Sequence, residues 1–292
     1  MADQIAIVQA PPAASRGVGR SWSSRLRALE LWIPGVVLVA IILACVVWPW
    51  LGTLPDPVNG HLDQPYRPLG TAGHVLGTDT LGNDNLSKLV YGGRLSLEVG
   101  FGAVAIGMVL GSLLGMIGAY KGGWVDSIVS RVLDMFLAFP ALVLAMIIAN
   151  YLGPSALNVT LAISLYSLPA FARLARTSTQ RLREQPFIVA AKLAGTRDWR
   201  IIVRHVVPNI VPELLTFALL SVSTAIIIEA SLSYLGLGVP PPAPTWGGMI
   251  SMGQQNIYSF KALLLLPCGA LFLTVLALNL LGDALRSRWS SV

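Results

Sequence analysis

Charge is what this sequence has least of. Only 12% of its 292 residues are Asp, Glu, Lys or Arg, about half the share of a soluble domain. With 54% hydrophobic residues and a mean hydropathy of +0.69, that excludes an ordinary water-soluble protein. Cysteine is nearly absent: Cys45 and Cys268 both fall in apolar segments and offer neither a zinc spacing nor a disulfide framework. No G-x-x-x-x-G-K-[ST] loop occurs, so the chain is not expected to hydrolyse ATP itself. Nor is there a Ser/His/Asp, H-E-x-x-H or Cys/His set. No catalytic residue, no metal site and no cofactor of its own are therefore expected. The net charge of +6 raises a nucleic-acid reading, but in so apolar a chain basic residues report topology instead.

What is present is a series of long apolar runs, which predicts an all-α polytopic membrane protein. The N-terminal segment 1–30 is polar and basic, with Arg16, Arg20, Arg25 and Arg27, and reads as a cytosolic tail disordered in its first half. Leu31–Leu51 is long enough to span. It is too long for a signal-peptide core and no A-x-A site follows, so it reads as an uncleaved first helix. Gly52–Gly93 is a polar, turn-rich segment, so 31–93 holds the first helix and an extracytoplasmic segment. Leu95–Tyr120, Val132–Leu152, Ala156–Leu174, Glu213–Leu235 and Ala262–Leu281 are five further spans within 94–286, six in all with the first helix, leaving 287–292 as a short tail.

Charge orients the spans. With the N-terminus inside, the inner segments hold four, two, eight and two Lys/Arg, sixteen in all; the outer ones hold Arg67, Lys88, Arg94 and Lys261. That asymmetry predicts both termini in the cytosol.

Several residues stand out. Gly107, Gly111 and Gly115 lay a smooth ridge where another helix can approach closely, for packing or for movement. Pro140 and Pro169 predict kinks. Asp79, Asn83, Asp84 and the His61/His74 pair lack a metal-binding pattern, and turn and cap chemistry is the expectation there. Glu98 lies near the outer end of its helix. Glu229, about 24 Å along the helix from Glu213, lies in the outer half of the membrane. It either lines a water-filled path, as a gate candidate, or hydrogen-bonds a neighbouring helix.

Phe187–Asn209, FIVAAKLAGTRDWRIIVRHVVPN, is charged yet sits among apolar spans, and the charge bias places it in the cytosol. Pro186 suits a first helical position. Phe187, Ala190, Ala191 and Ala194 form a stripe of mostly small side chains. Gly195 fits a helix stop with positive φ, and Thr196 a cap for a second helix. On that helix Trp199, Ile202, Val203 and Val206 form an apolar face, with Arg197, Arg200 and Arg204 elsewhere and Pro208 ending the run.

This stretch resembles the EAA coupling loop of ABC-importer permeases. Ala190-Ala191 are followed after three residues by Gly195, and His205-Val206-Val207-Pro208 stands where the family has I-x-L-P; Val189 stands in place of the Glu. Three further stretches resemble C-type permeases of the dipeptide/oligopeptide branch. They are His74–Gly100 (HVLGTDTLGNDNLSKLVYGGRLSLEVG, with Asn83 at the family's Arg), Glu229–Gly238 (EASLSYLGLG) and Thr274–Arg286 (TVLALNLLGDALR). The resemblance covers roughly 74–286 and implies a type I ABC-importer permease fold in a bacterial plasma membrane, surrounded by membrane lipid. It implies a non-catalytic subunit forming half of a peptide pathway. The partners it implies are a sister permease, two ATPase subunits carrying ATP and magnesium, and an extracytoplasmic peptide-binding protein, with no nucleic acid. Ala190, Ala191, Gly195, Arg200 and Pro208 fall in the coupling loop. Similar permeases carry nickel or other small solutes, and an ATP-independent secondary transporter is the more distant alternative.

Overall fold

The computed structural model describes residues 19–60 and 63–289. The first half of the expected disordered tail, His61 and residues 290–292 lie outside them. The described residues are helical apart from turns and two isolated β-bridges. In order the helices are α1 (Gly19–Ile42), α2 (Asn85–Lys121), α3 (Gly123–Leu137), α4 (Ala141–Leu152), α5 (Ala156–Arg183), α6 (Pro186–Leu193), α7 (Asp198–Ile201), α8 (Val207–Tyr234), α9 (Trp246–Gln255) and α10 (Ala262–Trp289). α1 starts at Gly19, inside the segment read as tail, and runs through a π turn and a 3₁₀ turn to Leu51.

α2 is the centre of the fold. Asp84 caps it by accepting the Ser87 N–H at 2.8 Å. Because this cap precedes Asn85, the helix starts well before the apolar run at Leu95. At 37 residues it is about 55 Å long, longer than the roughly 30 Å hydrocarbon layer. Gly107, Gly111 and Gly115 face α5, where a methyl group on each would collide with Ser167, the Leu168 carbonyl and the Ala172 carbonyl. Glycine therefore lets the two helices approach backbone to backbone. Phe171 of α5 meets Phe217 of α8 edge to face, ring centroids 5.0 Å apart.

The expected third span, Val132–Leu152, is not one helix. Its place is taken by α3 and α4, which meet at 89° around Ala138–Pro140. Pro140 takes an extended ψ of 137° and starts α4 instead of kinking a continuous helix. Pro169, by contrast, lies inside α5 without ending it. Pro208 does not end its helix either: 198–234 is one helical run, with a π turn at Ile202–Val206 just before Pro208. Proline lacks the N–H and crowds the carbonyl four residues back, and widening the preceding turn relieves both.

Outside the spans, 63–84 folds back on the start of α2 around a buried polar cluster. Asp79 accepts the backbone N–H groups of Leu81 and Asn83 at 2.8 and 2.9 Å, the Asn83 amide at 2.9 Å and the Lys88 ammonium. Trp246, at the start of α9, is buried beside it and donates its indole N–H to the Leu89 carbonyl at 3.0 Å. Burial pushes the Asp79 carboxyl up, but the Lys88 ammonium and the Asn83 hydrogen bonds outweigh it and hold the group below its ordinary range. A depressed folded pKa stabilises above the unfolded value, about 3.9, and that stabilisation is lost as pH falls through the folded value. Asp79→Asn leaves Lys88 buried without its carboxylate, at a cost of about 3–5 kcal/mol. We expect faster proteolysis of 63–84 in this variant at neutral pH, with the wild type approaching it only in strong acid. Equal digestion rates at neutral pH would contradict this role for the pair.

Candidate functional site

The loop expected to be cytosolic packs against the end of α5 and the start of α8, and three of its side chains, Ile188, Ile201 and Val206, are fully buried. Pro186 occupies the first turn of α6. The helix ends at Gly195, whose φ is +75°. Two capping bonds close it: Gly195 N–H to the Lys192 carbonyl at 2.9 Å and Thr196 N–H to the Ala191 carbonyl at 3.1 Å, the left-handed stop that glycine favours. Thr196 belongs to this stop. The residue capping α7 is Arg197, with no side-chain cap bond.

The two faces of the loop are now distinct. Ile188 and, in part, Ala191 turn inward, while Phe187, Val189, Ala190, Leu193 and Ala194 are exposed. On α7 the expected apolar face is split. Ile201, Val206 and partly Ile202 are inward, whereas Trp199 and Val203 are 57% and 59% exposed. A four-residue helix running into a π turn does not keep the 3.6-residue period that placed all four together. Arg200 lies over the Trp199 ring at 5.4 Å, and Pro208 is exposed in the first turn of α8.

Tyr120, at the end of α2, ties the loop to the spans. Its hydroxyl donates to Asp198 at 3.0 Å, and the Lys192 ammonium sits 4.7 Å from its ring centroid. One side chain of the central helix thus holds both helices of the loop. Neither Tyr120 nor the buried Ile188 and Ile201 stood out in the sequence. Tyr120 and Asp198 are 78 residues apart, with no local pattern to link them.

A second feature opens between α5 and α8. A groove of about 160 Å³ is lined by Tyr166, Ser167, Phe217, Ser221 and Thr224. Towards the end of α5 it meets a larger opening of about 700 Å³, where Arg181, Asn209, Glu213 and Arg286 gather. Glu213 accepts the Ser178 hydroxyl at 2.6 Å and lies 3.5 Å from the Arg181 guanidinium. Neutral polar groups thus occupy the middle of the spans, with charge at one mouth.

Glu229 does not open onto this groove. It is fully buried where α2, α8 and α9 meet. One carboxyl oxygen accepts the Ser233 hydroxyl at 2.7 Å and the other has no hydrogen-bond partner among the described residues. Ser96 of α2 lies beside it, and the Ser96 hydroxyl also accepts the Trp246 N–H at 3.3 Å. The hydrogen bond to Ser233 stays within α8, and Ser96 of α2 is the side chain that meets Glu229 from a neighbouring helix. Glu98 is 54% exposed and paired with Arg94 at 2.8 Å.

Residues 107–290 match the family model described as "Binding-protein-dependent transport system inner membrane component". The dipeptide transport system permease protein DppC of Alkalihalophilus pseudofirmus is 39% identical over 263 residues, covering 90% of this chain and 86% of that protein. The glutathione transport system permease protein GsiD of Escherichia coli O157:H7 is 42% identical over 264 residues, with coverage of 90% and 86%. Among solved structures, an inward-facing MetNI methionine ABC transporter matches with a TM-score of 0.55 at 19% identity, covering 69% of this chain and 96% of that one.

Proposed function

The chain belongs to the family of binding-protein-dependent transport system inner membrane components, non-catalytic permease subunits of ABC importers, and from that premise we propose that it forms half of an import pathway for small peptides. The relatives' own substrates, dipeptides and glutathione, are both peptides and support this class. Both termini lie in the cytosol in this proposal, in keeping with the Lys/Arg asymmetry. A sister permease closes the α5–α8 groove into a pathway. Two ATPase subunits, which hold ATP and magnesium, dock on the cytosolic loop, and an extracytoplasmic binding protein delivers the peptide.

The observation that carries the coupling role is the exposed small-residue face of α6. Phe187, Ala190 and Ala194 lie outward at helical spacing on a helix whose other face is locked by Ile188. Small side chains let a helix settle deeply into a groove on a partner. ATP-driven closure of the ATPase pair then moves α6, and Tyr120 passes that movement to α2 and its glycine-packed partner α5. Purifying the tagged chain from its native membrane tests this. A second permease and ATPase subunits are expected to accompany it, and Ala190→Cys is expected to cross-link to an ATPase. Purification of the chain without any ATPase would overturn the reading.

We further propose that Glu229 supports the junction of α2, α8 and α9 by polar contact and not by charge, through its hydrogen bond to Ser233 within α8 and its contact with Ser96 of α2. Glu229→Gln keeps size and hydrogen bonding, so we expect assembled complex and uptake within about twofold of wild type, a change of roughly 0.4 kcal/mol. Loss of uptake with normal assembly would instead assign the residue to the pathway.

A further inference from the structure

The bent pair α3–α4 is unlike every other spanning element in the described residues, and the outward face of α3 carries a pattern that a crossing helix has no use for. α4, with 12 residues, is about 18 Å long, short of the roughly 30 Å hydrocarbon layer. If α3 completed the crossing, it would run along α5. Its ion pairs show that it runs across instead. Asp126 takes the Arg176 guanidinium in two bonds of 2.6 and 2.7 Å, and Asp134 takes Arg173 at 3.0 Å. From Asp126 to Asp134 is about 12 Å along α3, while from Arg176 to Arg173 is only about 4.5 Å along α5. Arg173 lies about 26 Å from the start of α5 at Ala156, the depth of the opposite interface.

The outward face of α3 divides lengthwise. Trp124, Ile128 and Met135 are 75%, 51% and 67% exposed, and on an α-helix they fall on one flank. Ser127 and Arg131 are also exposed and fall on the adjoining flank. Arg131, and Lys121 just before the helix, have no acidic partner among the described residues. A helix that crosses a bilayer needs one uniformly apolar outer face. One lying in the interface needs an apolar flank below the headgroups and a basic or polar flank among them.

We propose that α3 lies in the plane of the cytosolic membrane interface, with Trp124, Ile128 and Met135 in the upper acyl region and Lys121 and Arg131 among anionic headgroups. The proposal rests on the reading that α2 and α5 span the membrane with α3 at the cytosolic side. Two of the span's roles are thereby separated: α4 dips into the bilayer, and α3 clamps the cytosolic end of α5 to its surface through Asp126–Arg176 and Asp134–Arg173. The occupant of the outward face is lipid.

The test is depth along α3, measured in the assembled complex in phosphatidylethanolamine/phosphatidylglycerol vesicles. Nitroxides on Trp124→Cys, Ile128→Cys and Met135→Cys are read by their relative accessibility to oxygen and to a water-soluble nickel chelate, with labelling of wild type subtracted. The expected result is one depth for all three within about 4 Å, whereas a crossing helix separates positions 124 and 135 by about 16 Å. A steady change of depth from 124 to 135 overturns the proposal. Exclusion of both reagents from all three sites also overturns it, because protein and not lipid then covers the face. A measurement that needs no cysteine guards against misfolded variants. The emission difference between wild-type and Trp124→Phe complexes is quenched more by lipid brominated near the headgroup than near the chain end; the reverse order contradicts the proposal. Labels at residues 110 and 113 of α2, which are exposed and lie about 16 and 12 Å along the helix from Lys121, should show the deep, oxygen-rich profile. If they do not, the spanning reading itself has failed, separately from the placement of α3.

Discussion

Gly115→Val is expected to remove the folded chain from the membrane. A side chain at Gly115 would collide with the backbone of Ala172, and the nearest atom is a carbonyl oxygen held in the hydrogen-bond ladder of α5. Neither helix can shift locally: one turn further along Gly111 meets the Leu168 carbonyl in the same way, and two turns along Gly107 meets the Ser167 side chain. Overpacking a close contact costs typically 1–3 kcal/mol and sometimes more, and this contact is backbone on backbone, so we expect about 3 kcal/mol. Against a total stability of about 5–15 kcal/mol, that is enough to lower the amount of monodisperse chain several-fold. Gly269 in α10 supplies the control, since a Cβ there meets nothing within 4 Å. Gly269→Ala is expected to leave the yield unchanged. Size-exclusion profiles of detergent extracts read both. Normal yield for Gly115→Val would mean that α2 and α5 are not in backbone contact.

Gly195→Val is expected to act in the opposite manner, sparing the fold and breaking the coupling. No atom lies within 4 Å of a Cβ at Gly195, so a side chain meets no clash. Its φ of +75° is the whole cost. For an L-residue the left-handed region costs roughly 1–2 kcal/mol, and a β-branched residue fares worse. The chain relieves that strain by abandoning the turn, which redirects α6 relative to α7 and moves Ala190 and Ala194 out of register with any docking groove. We expect unchanged insertion, at least about tenfold less ATPase retained on purification, equivalent to 1.4 kcal/mol, and a matching loss of uptake. Gly195→Asn, which tolerates positive φ, should retain most of both. Equal behaviour of the Val and Asn variants would detach the effect from backbone conformation.

The parts of this molecule that were legible in its sequence are those governed by local rules. Long apolar runs located α2, α5, α8 and α10, glycines every fourth residue marked the α2 face that meets α5, and Gly195 announced a left-handed stop. What was not legible depended on partners distant in sequence or on which of two local rules prevailed. Val132–Leu152 reads as one apolar run because hydropathy does not register direction; the 89° turn at Pro140 is invisible to it. Pro208 reads as a stop, yet a proline in the first turn of a helix is permitted, and the π turn before it lets the chain continue. Glu229 reads as a costly carboxylate in an apolar run, but that it faces Ser96 and α9 and not the groove is decided by helix packing alone.

The central claim is that this chain is half of an ATP-driven import pathway. The most direct measurement is peptide accumulation in proteoliposomes containing the chain, its sister permease and the ATPase subunits, with binding protein and labelled dipeptide on the outer side and ATP sealed inside. Accumulation above equilibrium is predicted only with ATP and magnesium inside. It should be lost in the Gly195→Val complex and unaffected by collapsing proton and sodium gradients. Accumulation that proceeds without ATP and disappears with an ion gradient would contradict the account.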